Sequence, residues 1–243
     1  MKNSKEVLTI KNLRKSFGEN HVLKGFSMEL HKGENLVIMG KSGSGKSVMI
    51  RCLVGLMQPD SGTVEIMGED ISKLKRKELD GLRTKIGFLF QGSALYDSMT
   101  VRENLEFPLR RQKKDHDEKY AMVIEALKNV GLSSAVDLMP AELSGGMKRR
   151  VALARAIILQ PKLIIYDEPT TGLDPITAKE IIQLIQDIQK KYKTSSLIIT
   201  HDVDCARVIS DRMILLIDGV NYAEGTFKEI SSMSDNKIQE FFK

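Results

Sequence analysis

The run Gly40-Lys41-Ser42-Gly43-Ser44-Gly45-Lys46-Ser47 restricts how this chain can fold more than any other stretch of it. It fits the pattern GxxxxGK(S/T) and stands between a short apolar run, Asn35 to Met39, and a helix-compatible segment, Lys46 to Leu56. That order reads as a buried strand, a tight turn and a helix. Glycine tolerates positive φ, so the backbone can wrap closely around a ligand while several N–H groups and the helix N-terminus converge on negative charge. In such a loop Gly40, Ser42, Gly43 and Gly45 shape the cradle. Lys46 reaches the β and γ phosphates of a nucleotide, and the Ser47 hydroxyl binds Mg2+. A glycine turn without a ligand is the alternative, and the flanking strand and helix argue against it.

The rest of the chain supplies a sheet around that loop. Val7 to Leu13 alternates apolar and polar residues and Val22 to Leu30 does so loosely, as half-exposed antiparallel strands do. Ile86 to Phe90, Leu163 to Tyr166, Ser196 to Thr200 and Met213 to Ile217 are apolar runs separated by helical patterns, which implies a mostly parallel sheet with helices on both faces. Between Phe90 and Leu163 only helical patterns occur. There Val123, Leu127 and Val130 recur at helical spacing, with Asp115 or Asp117 placed to cap the start. Asp174 and Pro175 open another helix, whose apolar stripe is Ile181, Leu184, Ile185 and Ile188. The expected fold is α/β: a nucleotide-binding core over 1–91 and 161–231, an inserted helical subdomain over 92–160, and a tail over 232–243. In the tail Ile238, Phe241 and Phe242 fall at helical spacing, suited to docking on a neighbouring subunit or to fraying.

Composition excludes several functions. With 243 residues, 42% hydrophobic and 28% charged, the chain can bury a full core and is not biased toward disorder. Its longest apolar runs fall far short of the ~20 residues needed to cross a bilayer. Met1 to Lys5 is polar and lacks the apolar stretch of a signal peptide, so the expected location is the cytoplasmic side of any membrane served. Cys52 and Cys205 form no metal or redox pair. The net charge of +5 suits nucleic acid or the anionic inner leaflet of a membrane. Without a nucleic-acid motif or interleaved aromatics, no nucleic-acid partner is expected; the basic run Lys73 to Lys77 reads as a solvated helix start.

Two further motifs carry chemistry. Leu163 to Glu168 is an apolar strand ending in two acids; Asp167 suits Mg2+, through water, and Glu168 suits removal of a proton from an attacking water. Alone, an acidic pair at a strand end reads as a helix cap. Beside a phosphate loop it reads as metal support and general base. Leu143-Ser144-Gly145-Gly146-Met147 then resembles the LSGGQ signature of ATP-binding-cassette (ABC) proteins, a second anion site in which Ser144, Gly145 and Gly146 sit at a helix N-terminus.

That resemblance spans Val7 to about Ser231 and implies an ABC ATPase fold in which an N-terminal antiparallel β subdomain joins the phosphate-loop core. It implies roles for further residues: Phe17 stacking on adenine, with a core phenylalanine as the rival reading; Gln91 sensing Mg2+ and water; Asp174, in Gly172-Leu173-Asp174, at a dimer interface; and His201 contacting the γ phosphate. His21, His31 and His116 have no such context. Met147 departs from the usual glutamine. The stretches Phe90 to Tyr96, Glu106 to Arg110 and Leu138 to Arg150 are similar to the ATPase of Mla and Mce lipid transporters, whereas amino-acid importer ATPases usually carry a glutamine-rich run after the signature. This finer likeness implies two copies of the ATPase and two integral-membrane permeases on the cytoplasmic face of a bacterial inner membrane, with an Mce-domain lipid-binding protein and a small regulatory subunit. Such a complex moves phospholipid between inner and outer membranes, and the segment Gly92 to Arg110 receives a permease helix. The rivals are the ATPase of a lipoprotein-release or solute-import system, and a soluble ABC ATPase acting on DNA or ribosomes.

Overall fold

The computed structural model describes residues 6–242; the polar start Met1 to Lys5 and Lys243 lie outside the described residues. The chain forms two compact units, residues 6–83 with 195–242, and residues 84–194. In chain order the first begins with β1 (Glu6–Phe17), β2 (Asn20–His31), β3 (Asn35–Met39), α1 (Lys46–Leu53), β4 (Ser61–Ile66), β5 (Glu69–Asp70) and α2 (Arg76–Arg83). The second contains β6 (Ile86–Leu89), α3 (Val101–Glu106), α4 (His116–Asn129), α5 (Gly145–Ile157), β7 (Leu163–Asp167) and α6 (Pro175–Tyr192). The chain then completes the first unit with β8 (Ser195–Thr200), α7 (Val203–Ile209), β9 (Arg212–Ile217), β10 (Val220–Gly225), α8 (Phe227–Ser231) and α9 (Asn236–Gln239).

In the first unit, β2, β1, β4 and β5 make an antiparallel sheet. Its register follows from alternation, because the buried residues Leu8, Ile10 and Leu13 of β1 face Leu30, Met28 and Phe26 of β2, and a slip of one residue would turn this set toward water. A second layer pairs β3 in parallel with β8 on one side and β9 on the other, while β10 returns antiparallel to β9. Every residue of β3 and β8 is buried, and this is why the apolar stretches 36–39 and 197–199 show no alternation with polar residues.

In the second unit β6 and β7 pair in parallel, Ile86 opposite Leu163 and Leu89 opposite Tyr166. α5 packs closely on β6: a side-chain carbon at Gly87 would stand 2.5 Å from the Ala156 carbonyl oxygen. Asp115, not Asp117, caps α4; it accepts from the Glu118 N–H while Glu118 reaches back to the Asp115 N–H, a reciprocal capping box. Asp174 caps α6 with Pro175 in the first turn. Among the described residues no helix is long and apolar enough to cross a membrane.

Candidate nucleotide site

The phosphate loop leaves β3 at Gly40, where a side-chain carbon would lie 2.4 Å from Ser44 Oγ and 2.9 Å from the Leu216 carbonyl oxygen, so only glycine fits. Gly43 (φ 82°) and Gly45 (φ 104°) take left-handed conformations that cost an L-residue roughly 1–2 kcal/mol. These turns curl the backbone into a nest whose amides can face an anion. The Ser44 N–H donates to the Lys41 carbonyl (3.1 Å). No side chain caps α1, so its first turn keeps the partial positive charge of a helix N-terminus. Lys46 Nζ donates to the carbonyls of Gly40 (2.5 Å) and Lys41 (3.1 Å), which holds its ammonium over the loop, and Ser47 is exposed one residue on.

A cleft of about 460 Å3 opens beside this loop within the same unit, lined by residues that include Val22, Lys41, Ser42, Gly43, Asp218 and Phe241. The segment 235–242 forms one wall. Lys41 pairs with Glu240 and lies 5.8 Å from the centre of the Phe241 ring. Tyr222 Oη donates to Asp235 (2.8 Å), Lys237 pairs with Asp218 (2.8 Å), Ile238 is buried, and Phe242 meets Phe227 edge-on at 5.5 Å. The apolar spacing of this segment therefore serves packing on its own chain. Phe17 ends β1 opposite Asn20 and is half exposed, with the Lys15 ammonium 5.7 Å from its ring centre. His201 follows β8 and is exposed, while Asp202 beside it caps α7.

In the second unit β7 ends at Asp167, and Glu168 follows with φ 50°, a left-handed conformation uncommon outside glycine that clusters at functional sites. Glu168 is buried and its Oε2 accepts from the Thr171 hydroxyl (3.1 Å). Gln91 is exposed just past β6, before a turn in which Ser93 and Ala94 both have positive φ. Ser144 caps α5, its Oγ accepting from the Met147 N–H (3.2 Å), so Gly145 and Gly146 form the first turn. Gly146 is required by packing, since a side-chain carbon there would lie 2.7 Å from Thr177 Cγ2. Asp174 holds Thr177 through its hydroxyl (2.6 Å) and N–H (3.0 Å), and accepts from the Ile176 N–H as well. These bonds, the hydroxyl first, keep the Asp174 carboxyl below its ordinary value.

Thr171, Thr177 and Arg149 have no motif of their own. For Arg149 a signal was present: it shares a helical face with Ala152, Leu153 and Ala156, all buried. Among the described residues no group of three or more His, Cys, Asp or Glu could hold a metal, so a bound cation needs other oxygen ligands as well.

A glycine nest between a buried strand and a helix defines a phosphate-loop α/β protein. Residues 23–171 match the family described as ABC transporter, and the chain belongs to that family. It is 42% identical over 210 residues to the "Probable ribonucleotide transport ATP-binding protein mkl" of Mycobacterium leprae, covering 86% of this chain and 60% of that one. It is 41% identical over 216 residues to the methionine import ATP-binding protein MetN of Mesorhizobium japonicum, covering 89% and 59%. The chain thus spans about three fifths of the length of these curated relatives. Among solved structures it is similar to cbiO1 from Clostridium perfringens, part of the ABC transporter complex cbiONQ (TM-score 0.86, 32% identity, 93% of this chain and 91% of that one). It is also similar to the ATP-binding cassette MJ0796, a dimer in a post-hydrolysis state bound to ADP and Pi (TM-score 0.82, 35% identity, 90% and 98%). The fold is that of the ABC ATPases: a mostly parallel sheet with helices, an N-terminal antiparallel β part and a helical insertion.

Proposed function

We propose that the chain is the ATP-binding and ATP-hydrolysing subunit of a membrane transporter. The observation that carries this reading is the loop Gly40 to Ser47, with two left-handed glycines, an uncapped helix start and Lys46 folded over its carbonyls. In the proposed reaction these groups hold the nucleotide phosphates, and Phe17 stacks on the base. Ser47, Gln91 and Asp167 hold Mg2+, and this all-oxygen donor set fits that hard cation. The cation, when bound, offsets the charge of the phosphates. Glu168 takes the proton of the attacking water, with Thr171 holding one carboxylate oxygen in place. His201 positions the γ phosphate. Nucleotide binding belongs to 1–91 and 161–231, and the signature to 92–160.

The site is completed by a second copy. One chain offers its phosphate loop, Gln91, Asp167, Glu168 and His201, and its partner offers Ser144, Gly145 and Gly146, with Asp174 at the shared face. Nucleotide favours the closed pair because only that state contacts it from both sides. Two permease subunits convert this closure into transport, with the ATPase peripheral on the cytoplasmic face of a bacterial inner membrane.

Phosphate release from Mg-ATP tests the chemistry. Glu168→Gln should lower turnover by roughly 100- to 10,000-fold while ATP binding persists and a closed dimer accumulates; near-native turnover would refute the base. For the cargo, we propose lipid, supported by the run Met147 to Arg150 after the signature; an Mce-domain lipid-binding protein and a small regulatory subunit belong to this reading. Solute import is the second reading, supported by the names of the relatives similar to this chain. Purification of the intact complex separates them: a permease with bound phospholipid supports the first, and a periplasmic solute-binding partner the second.

A further inference from the structure

Arg149 lies in the second turn of α5, the helix whose N-cap is Ser144, and is 4% exposed. Its Nη1 donates to the carbonyl of Phe90 (2.9 Å) and its Nη2 to the carbonyl of Thr171 (3.2 Å). Each carbonyl belongs to the planar peptide that leads into a functional loop, Phe90–Gln91 in one case and Thr171–Gly172 in the other. Fixing the oxygen of such a plane fixes the N–H at its other end. The guanidinium is a rigid fork, so the separation of its two terminal nitrogens becomes the separation of the two planes. The link continues to the proposed base, because the hydroxyl of the same Thr171 donates to Glu168.

A second arginine of α5 holds the far side of the Gln91 loop. Arg155 Nη2 donates to the Ser93 carbonyl (3.0 Å), and Asn104 holds the carbonyls of Tyr96, Met99 and Thr100. Burial costs Arg149 solvation and pulls its pKa down, with the Asp167 charge opposing that shift. Such a cost is hard to explain for a surface ornament, and an apolar residue at this buried position would pack without it.

We propose that Arg149 is a positioning residue which locks the Gln91 loop and the Glu168–Gly172 turn to the signature helix, so that the three move as one body when nucleotide binds. This rests on the function proposed above for Gln91, Glu168 and Ser144. Arg149→Lys keeps the charge and loses the fork, because an ammonium is a point donor; Arg149→Gln also loses the charge. Both variants are made in the full chain and compared at matched cooperative melting. Turnover of Mg-ATP should fall about tenfold in the lysine variant and further in the glutamine variant, while the Kd for ADP stays within about twofold of native. Amide hydrogen exchange supplies a readout independent of activity. It should rise in segments 90–94 and 170–174 and stay unchanged in 40–47. Exchange that is unaltered in both segments, or raised throughout the chain, overturns the proposal. So does native turnover in Arg149→Lys. If the native chain itself neither binds ADP nor releases phosphate, the functional reading fails instead, and exchange still decides whether Arg149 locks the two loops.

Discussion

The molecule contains two glycine-rich helix starts, and they are built in opposite ways. At Gly40 to Ser47 the glycines serve conformation, since Gly43 and Gly45 need positive φ and α1 begins without a side-chain cap. At Ser144 to Gly146 neither glycine has positive φ. A serine caps the helix, and Gly146 is small because Thr177 stands against it. The first loop is a cradle by its own backbone geometry. The second is an ordinary helix start pressed against a neighbouring helix, and what it offers an anion depends on what is brought to it. The difference fits the proposal that the first loop holds nucleotide phosphates on its own backbone while the second acts only across a pair of chains.

Lys46→Ala gives the largest effect expected from this contrast. Its ammonium has been gathered over the loop carbonyls, and losing a charged donor to phosphate should weaken ADP and ATP binding by ~10- to 100-fold. Isothermal titration reads this directly, and unchanged affinity would remove the loop from the site. Ser144→Ala should leave the affinity of the isolated chain alone, because that cap serves its own helix.

Smaller, and more diagnostic, is a pair of alanine substitutions. At Gly146 the new carbon meets Thr177 at 2.7 Å, and Thr177 cannot swing aside while Asp174 grips its hydroxyl. Overpacking of this kind costs about 1–3 kcal/mol, visible as a lower melting temperature with ADP affinity retained. At Gly43 nothing lies within 4 Å, so Gly43→Ala suffers only the backbone penalty of roughly 1–2 kcal/mol. That strain falls on the cradle, so ADP affinity should drop with stability. If the two variants behave alike, the distinction between conformational and packing glycine is wrong.

The contrast also accounts for what was legible in the sequence. The phosphate loop, β3 from Asn35 to Met39, and the Asp174-Pro175 cap were readable because each depends on residues a few positions apart. β4, β5 and β10 were not, being short and partly exposed, with few apolar residues to set a period. The sequence pattern carries the first helix on to Leu56, yet α1 ends at Leu53 because Gly55 turns left-handed. The spacing of Arg149 with Ala152, Leu153 and Ala156 marks its helical face as buried, but only the fold brings it to carbonyls 59 and 22 residues away. The pairing of Lys41 with Glu240 spans 199 residues, a distance no local pattern encodes.

The smallest effect isolates the charge in the Gly146 contact. Asp174→Asn keeps an oxygen able to cap α6 but removes the carboxylate that grips Thr177. The folded chain holds the Asp174 carboxyl below its ordinary value, chiefly through the Thr177 hydroxyl and then its N–H, so it binds that proton less tightly than the unfolded chain does. The stabilisation is therefore complete above the ordinary aspartate value of ~4 and is lost as pH falls through the lowered folded value. Thermal melts of the native chain and Asp174→Asn should differ by a constant small amount from pH 5 to 8 and converge in more acid solution. The side chain is exposed, so added salt should shrink the difference as well. A gap that persists into strong acid would mean that Thr177 is held by shape alone. In that case Gly146→Ala should be no better tolerated in the Asp174→Asn background than in the native one.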